Sequence, residues 1–185
     1  MIIRNLKENL KVIGFDADDT LWVNETYYRD TEKHFVKLLQ TFADEETVMR
    51  TLMAMEIRNL PLYGYGAKGF MLSMMETAIE VSRNKAGTEI TGSIIRLGKE
   101  LLNKPVVLLD GAHKILQQLK GRFPMILITK GDLLDQERKL RKSGLDSCFH
   151  HIRKFVEIRC VSRVETGCLG RTHPLSHNMG TRRNR

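Results

Sequence analysis

Three carboxylates fall within four positions in VIGFDADDTLW, residues 12–22: Asp16, Asp18 and Asp19, directly after a short apolar run. Clustered carboxylates repel one another and persist where a cation or a reacting group compensates them. In extended backbone, residues i and i+2 point the same way. Asp16 and Asp18 then share a face, while Ala17 and Asp19 turn from it. A second apolar run, FPMILIT, ends in a hydroxyl at Thr129, followed by Lys130 and Gly131. Two carboxylates and one hydroxyl suit phosphoryl transfer. One carboxylate can attack phosphorus and a second can pass a proton to the leaving oxygen. A Mg2+ ion can offset the charge, and the hydroxyl can donate to a phosphoryl oxygen.

These groups need strands that end side by side. Lys11 to Phe15 and Phe123 to Thr129 both read as short buried strands, and another extended segment begins at His150. Between the first two lie helical apolar periods: Thr31, Phe35, Leu38, Leu39 and Phe42; Val48, Leu52 and Met55; Phe70, Met71, Met74, Ala78 and Val81; Ile90, Ile94, Leu97 and Leu101. PLYGYGAKG, residues 61–69, reads as a loop inside this block, and its Tyr63, Tyr65 and Lys68 are candidate substrate contacts. Pro105 ends the last of these helices. A short helix then carries Ala112, Ile115, Leu116 and Leu119, with Asp110 near its cap. After the second strand, Asp132 is placed to cap a helix and Gly144 to end it.

The alternation of strand and helix predicts an α/β fold with a parallel sheet, and the helical block is too long for a simple crossover. The expected division is a Rossmann-like core from residues 1–22 and 104–150, an inserted all-helical domain over 23–103, and a basic tail over 151–185. In such sheets ligands bind beyond the carboxyl ends of the strands, where Asp16, Asp18 and Thr129 stand.

Bulk properties narrow the partners. The 185-residue chain carries a formal net charge of +8. From His151 onward eight Lys or Arg oppose Glu157 and Glu165, so the first 150 residues are close to neutral. The basic tail lacks the interleaved aromatics that stack on bases, so nucleic acid is not the expected partner. No apolar run approaches membrane-spanning length and the N-terminus shows no secretory pattern. A cytoplasmic location is expected, with Cys148, Cys160 and Cys168 as free thiols. Cys160, Cys168, His173 and His177 lack the close cysteine pair of zinc fingers, so zinc is not expected there.

FDADDTL, residues 15–21, resembles the D-x-D-x-T motif of the haloacid dehalogenase-like (HAD) hydrolase superfamily. ILITKG, residues 126–131, is similar to that family's second motif, and a helical block directly after the first motif is similar to its C1 cap. The resemblance implies a Mg2+-dependent hydrolase of small phosphate esters that works through an aspartyl-phosphate. It implies Asp16 as nucleophile and metal ligand. Asp18 would be the general acid/base and lend its backbone carbonyl to the metal. Thr129, with Lys130 and Gly131, would hold the phosphoryl group of a small phosphorylated metabolite. The family's true dehalogenases lack the second aspartate, so Asp18 favours a phosphatase.

Three positions depart from the pattern. Asp19 stands where glycine is most common in the family. The family's lysine after the third strand is expected some ten residues past Phe149, and Lys154 falls too early for it. A Gly-Asp or Gly-Asn motif with further acids is not seen either. The core is therefore expected to be incomplete at its C-terminal end. The alternative to the enzyme is a truncated, non-catalytic remnant that acts by binding.

Overall fold

A computed structural model describes residues 10–154. The residues after 154, including Cys160, Cys168, His173, His177 and most of the basic tail, lie outside the described part.

Three short strands, β1 (Ile13–Phe15), β2 (Met125–Thr129) and β3 (His151–Lys154), form a parallel sheet in the order β1-β2-β3. Between β1 and β2 the chain forms α1 (Glu25–Leu39), α2 (Glu45–Tyr63), α3 (Ala67–Ser82), α4 (Thr88–Asn103) and α5 (Ala112–Leu119). Helix α6 (Leu133–Ser143) links β2 to β3. Phe15, the last residue of β1, pairs with Leu127, two residues before the end of β2 at Thr129. That register brings the carboxylate motif and the end of β2 to the same edge of the sheet.

Two hydrophobic clusters organise the described residues. One gathers Ala17, Leu21, Trp22, Leu116, Met125 and Leu127, among others, around the sheet. The other gathers Phe35, Leu39, Leu52, Phe70, Met74 and Ile94, among others, from α1 to α4. Large apolar side chains such as Trp22 and Phe35 are almost wholly buried, each worth about 1.5–3 kcal/mol over exposure. The chain leaves the first cluster and returns to it through segments that lie side by side. Val23 N–H donates to the Val107 carbonyl and Leu109 N–H to that of Leu21, both at 2.9 Å.

Local signals explain the helix ends. Asp44 accepts from Thr47 N–H at 2.8 Å at the start of α2, and Asp132 accepts from Asp135 N–H at 3.0 Å at the start of α6. Gly144, with φ of 70°, ends α6 in the left-handed region. One expectation is corrected. The loop expected over 61–69 shrinks to residues 64–66, because α2 runs through Pro61 to Tyr63. Pro61 lies in the last turn of α2, where its missing N–H removes one bond near the helix end, and Ile57, four residues before it, is an exposed residue. Asp110 stands next to the cap of α5 as expected, and the N-cap itself is Gly111, with φ of 83° and no side-chain bond. That left-handed conformation favours glycine at the cap position.

Candidate active site

Asp16, Asp18, Thr129, Lys130 and Gly131 all line one cavity of about 700 Å3. Its far wall comes from α1, α2, α3 and the turn between α2 and α3: Tyr28, Glu56, Asn59, Tyr63, Tyr65, Phe70 and Ser73 line it. The sheet end thus supplies the carboxylates and the hydroxyl, and the helical block supplies an apolar and hydroxyl-bearing roof.

The two carboxylates differ in engagement. Asp16 is exposed, and Thr20 Oγ1 donates to its Oδ2 at 3.0 Å. Asp18 accepts from three donors. Trp22 Nε1 and Lys139 Nζ reach Oδ1 at 2.8 and 2.9 Å, and Gln136 Nε2 reaches Oδ2 at 2.6 Å. Asp16 therefore keeps a carboxylate open to the cavity, whereas Asp18 is held in one orientation.

Thr129 is 3 % exposed. Its Oγ1 accepts from Gly131 N–H at 3.0 Å, which leaves its own hydroxyl proton to donate elsewhere. Lys130 stands with its ammonium 5.8 Å from the centre of the Tyr65 ring, within cation–π reach. Gly131 has a steric reason for its small size. A Cβ at this position would come within 2.7 Å of Gln136 Nε2.

Asp19 has a structural role. Its φ is 55°, in the left-handed region where glycine is easiest to place. The position is filled by an aspartate whose Oδ1 accepts from Asn24 N–H at 2.9 Å and Glu25 N–H at 3.0 Å, at the start of α1. Side-chain capping of the helix offsets the backbone strain.

Charge around the cavity is uneven. Burial, with Glu32 and then Glu25 adding to it and Arg29 opposing, pushes the Glu56 carboxyl up to about 7. Burial and then the charge of Asp18 push the Tyr28 hydroxyl up, so it stays a neutral phenol. Lys68 on α3 pairs with Asp132 at the start of α6 at 3.0 Å. Burial works against ionisation of Asp132, but Lys68 and the Asp135 N–H hold it below the usual carboxylate range.

Gln136, Lys139, Trp22 and Glu56 did not stand out in the sequence. Gln136 and Lys139 reach Asp18 from 118 and 121 residues away, through tertiary folding alone. Lys139 also donates to Asn24 Oδ1 at 2.8 Å.

The donor set can be weighed against the Mg2+ that the family resemblance implies. Among the described residues no cluster of three or more His, Cys, Asp or Glu side chains is placed to hold a metal. Mg2+ commonly takes only one or two carboxylates and completes its shell with water and substrate phosphate. The open carboxylate of Asp16 fits that pattern. The Asp18 carboxylate is occupied by its three donors, so only its backbone carbonyl suits a ligand role.

The family model for haloacid dehalogenase-like hydrolases matches residues 10–161. The chain belongs to the haloacid dehalogenase-like hydrolase family. A solved haloacid dehalogenase-like family hydrolase from Xanthomonas campestris is 39% identical, with a TM-score of 0.73; the match covers 79% of this chain and 61% of that one. The chain thus spans less than two thirds of that relative's length. More distant members share the fold. A HAD-hydrolase from Bacillus subtilis, described as bound to magnesium, is 17% identical with a TM-score of 0.52, over 78% of this chain and 65% of that one. An L-2-haloacid dehalogenase is 14% identical with a TM-score of 0.53, over 78% of this chain and 63% of that one. The search of curated proteins gave no match. Among the described residues no helix is long and apolar enough to cross a membrane.

Proposed function

We propose that this HAD-like hydrolase cleaves small phosphate esters at the cavity between the sheet end and the helical block. The observation that carries the proposal is the convergence of Asp16, Asp18 and Thr129 on that one cavity. In the expected division into 1–22 with 104–150 and 23–103, of which residues 1–9 lie outside the described part, the first acts as the Rossmann-like core and the second as a cap over the substrate.

Asp16 is the nucleophile. Its exposed carboxylate is the one free to approach phosphorus, and its attack forms an aspartyl-phosphate as the ester oxygen departs. Asp18 enters the step protonated on one oxygen, with the donor there displaced, gives that proton to the departing ester oxygen, then takes one from the water that hydrolyses the intermediate. Thr129 donates its free hydroxyl proton to a phosphoryl oxygen. Lys130 adds a positive charge at the mouth, steadied by Tyr65. Mg2+, bound through Asp16 and the Asp18 carbonyl, would supply charge neutralisation between protein and phosphate.

Asp18 separates this activity from dehalogenation, which shares the fold. A halide leaves without a proton; an alkoxide does not. The test measures inorganic phosphate from a panel of small phosphate esters and halide from a 2-chloro acid. Phosphate release that Asp18→Asn abolishes is the expected result. Phosphate release undiminished in Asp18→Asn, or halide release without phosphate release, sinks the proposal.

A further inference from the structure

Two side chains of α6 grip the second aspartate. Gln136 and Lys139 are three residues apart and so share one face of the helix. Gln136 Nε2 donates to Asp18 Oδ2 at 2.6 Å and Lys139 Nζ to Oδ1 at 2.9 Å, so each carboxyl oxygen has its own partner from α6. We propose that Gln136 and Lys139 are positioning residues that aim the Asp18 carboxyl at the leaving oxygen of the substrate. The assignment rests on the phosphoryl-transfer function proposed above.

Three features go beyond an ordinary ion pair. First, Gln136 is 2 % exposed, yet its Oε1 has no hydrogen-bond partner among the described residues. A buried carbonyl left unpaired is destabilising, so packing alone would favour an apolar residue of similar size. Second, room for the Gln136 amide depends on the absence of a side chain at Gly131, directly after the second motif. Third, Lys139 also donates to Asn24 Oδ1 at 2.8 Å, at the start of α1. The orientation of Asp18 is thereby tied both to the turn after β2 and to the entry into the helical block. Proton transfer requires the carboxyl within hydrogen-bond reach of the leaving oxygen, and small misplacements carry large rate losses.

The test compares kcat/KM for two esters in the full chain with Mg2+. One is an alkyl phosphate, whose alkoxide needs a proton. The other is p-nitrophenyl phosphate, whose phenolate leaves readily without one. Lys139→Met and Gln136→Met are expected to lower kcat/KM for the alkyl ester about tenfold more than for the aryl ester. Lys139→Arg is expected to restore most of the loss. Melting curves check folding. If Gln136→Met does not fold, the partly exposed Lys139 still decides the matter. Equal losses on both esters, or none, overturn the assignment while leaving the function standing. No phosphate release by the unaltered chain from either ester overturns the proposed function and this assignment with it.

Discussion

Gly131→Ala isolates the contact between the second motif and the grip on Asp18. The φ of Gly131 lies outside the left-handed region, so alanine meets no backbone penalty there. Its Cβ would meet Gln136 Nε2 at 2.7 Å and Gln136 Cγ at 3.3 Å. Gln136 is buried and its amide must shift, breaking the bond to Asp18 Oδ2. Hydrogen bonds to charged groups are worth about 1.5–3 kcal/mol. Replacing glycine at a compatible φ returns about 0.4–1 kcal/mol by restricting the unfolded chain. The net expectation is a loss of about 1–2 kcal/mol, or roughly 2–8 °C in Tm for a chain of this size. Gln136→Ala removes the obstacle. In that background Gly131→Ala should become neutral or stabilising by about 0.4–1 kcal/mol. Urea unfolding of the four proteins gives the coupling energy directly. A Gly131→Ala that is neutral in the unaltered background, or equally damaging in both, would falsify the steric account.

Two further outcomes follow from the site. Asp19→Ala should destabilise by about 1–2 kcal/mol, since it loses the cap on α1 and keeps the left-handed strain; Asp19→Gly should cost less, because it relieves that strain. Equal effects in thermal melts would contradict this. Glu56 has a folded-state pKa raised to about 7, above its ordinary 4.5. Its contribution is therefore intact below about pH 4.5 and is lost as pH rises through 7. Glu56→Gln should change Tm little at low pH and raise it by an amount that grows up to about pH 8. The gain, after allowance for partial solvent screening, is on the order of 1 kcal/mol. A benefit independent of pH would refute the assignment of burial as the cause.

The sheet end was legible because its signals are local. An apolar run stopping in Asp16-Ala17-Asp18 and another stopping in Thr129 mark strand ends, and parallel pairing sets them level. The helical block was legible from its apolar periods, which match buried Phe35, Leu39, Leu52, Met74 and Ile94. PLYGYGAKG read as a loop as a whole, but Pro61 falls in the last turn of α2, where a proline is tolerated near the helix end, so only residues 64–66 form the loop. Asp19 could be assigned a direction by alternation but not its φ; the family's glycine at that position was the available sign of a left-handed backbone. Gln136 and Lys139 carried no sign at all. In LLDQERKLRKS a glutamine and a lysine look like a solvated helix face, and only the docking of α6 against the carboxylate motif turns them inward.

The central claim is that Asp16 carries the phosphoryl group. It is tested most directly by incubating the chain with Mg2+ and a small phosphate ester, quenching in acid, and locating any acyl-phosphate by peptide mass spectrometry. The account predicts a phosphorylated peptide that contains Asp16, together with inorganic phosphate in solution, both absent in Asp16→Asn. Phosphate release that continues in Asp16→Asn, or a phosphoryl group found on another residue, would contradict it.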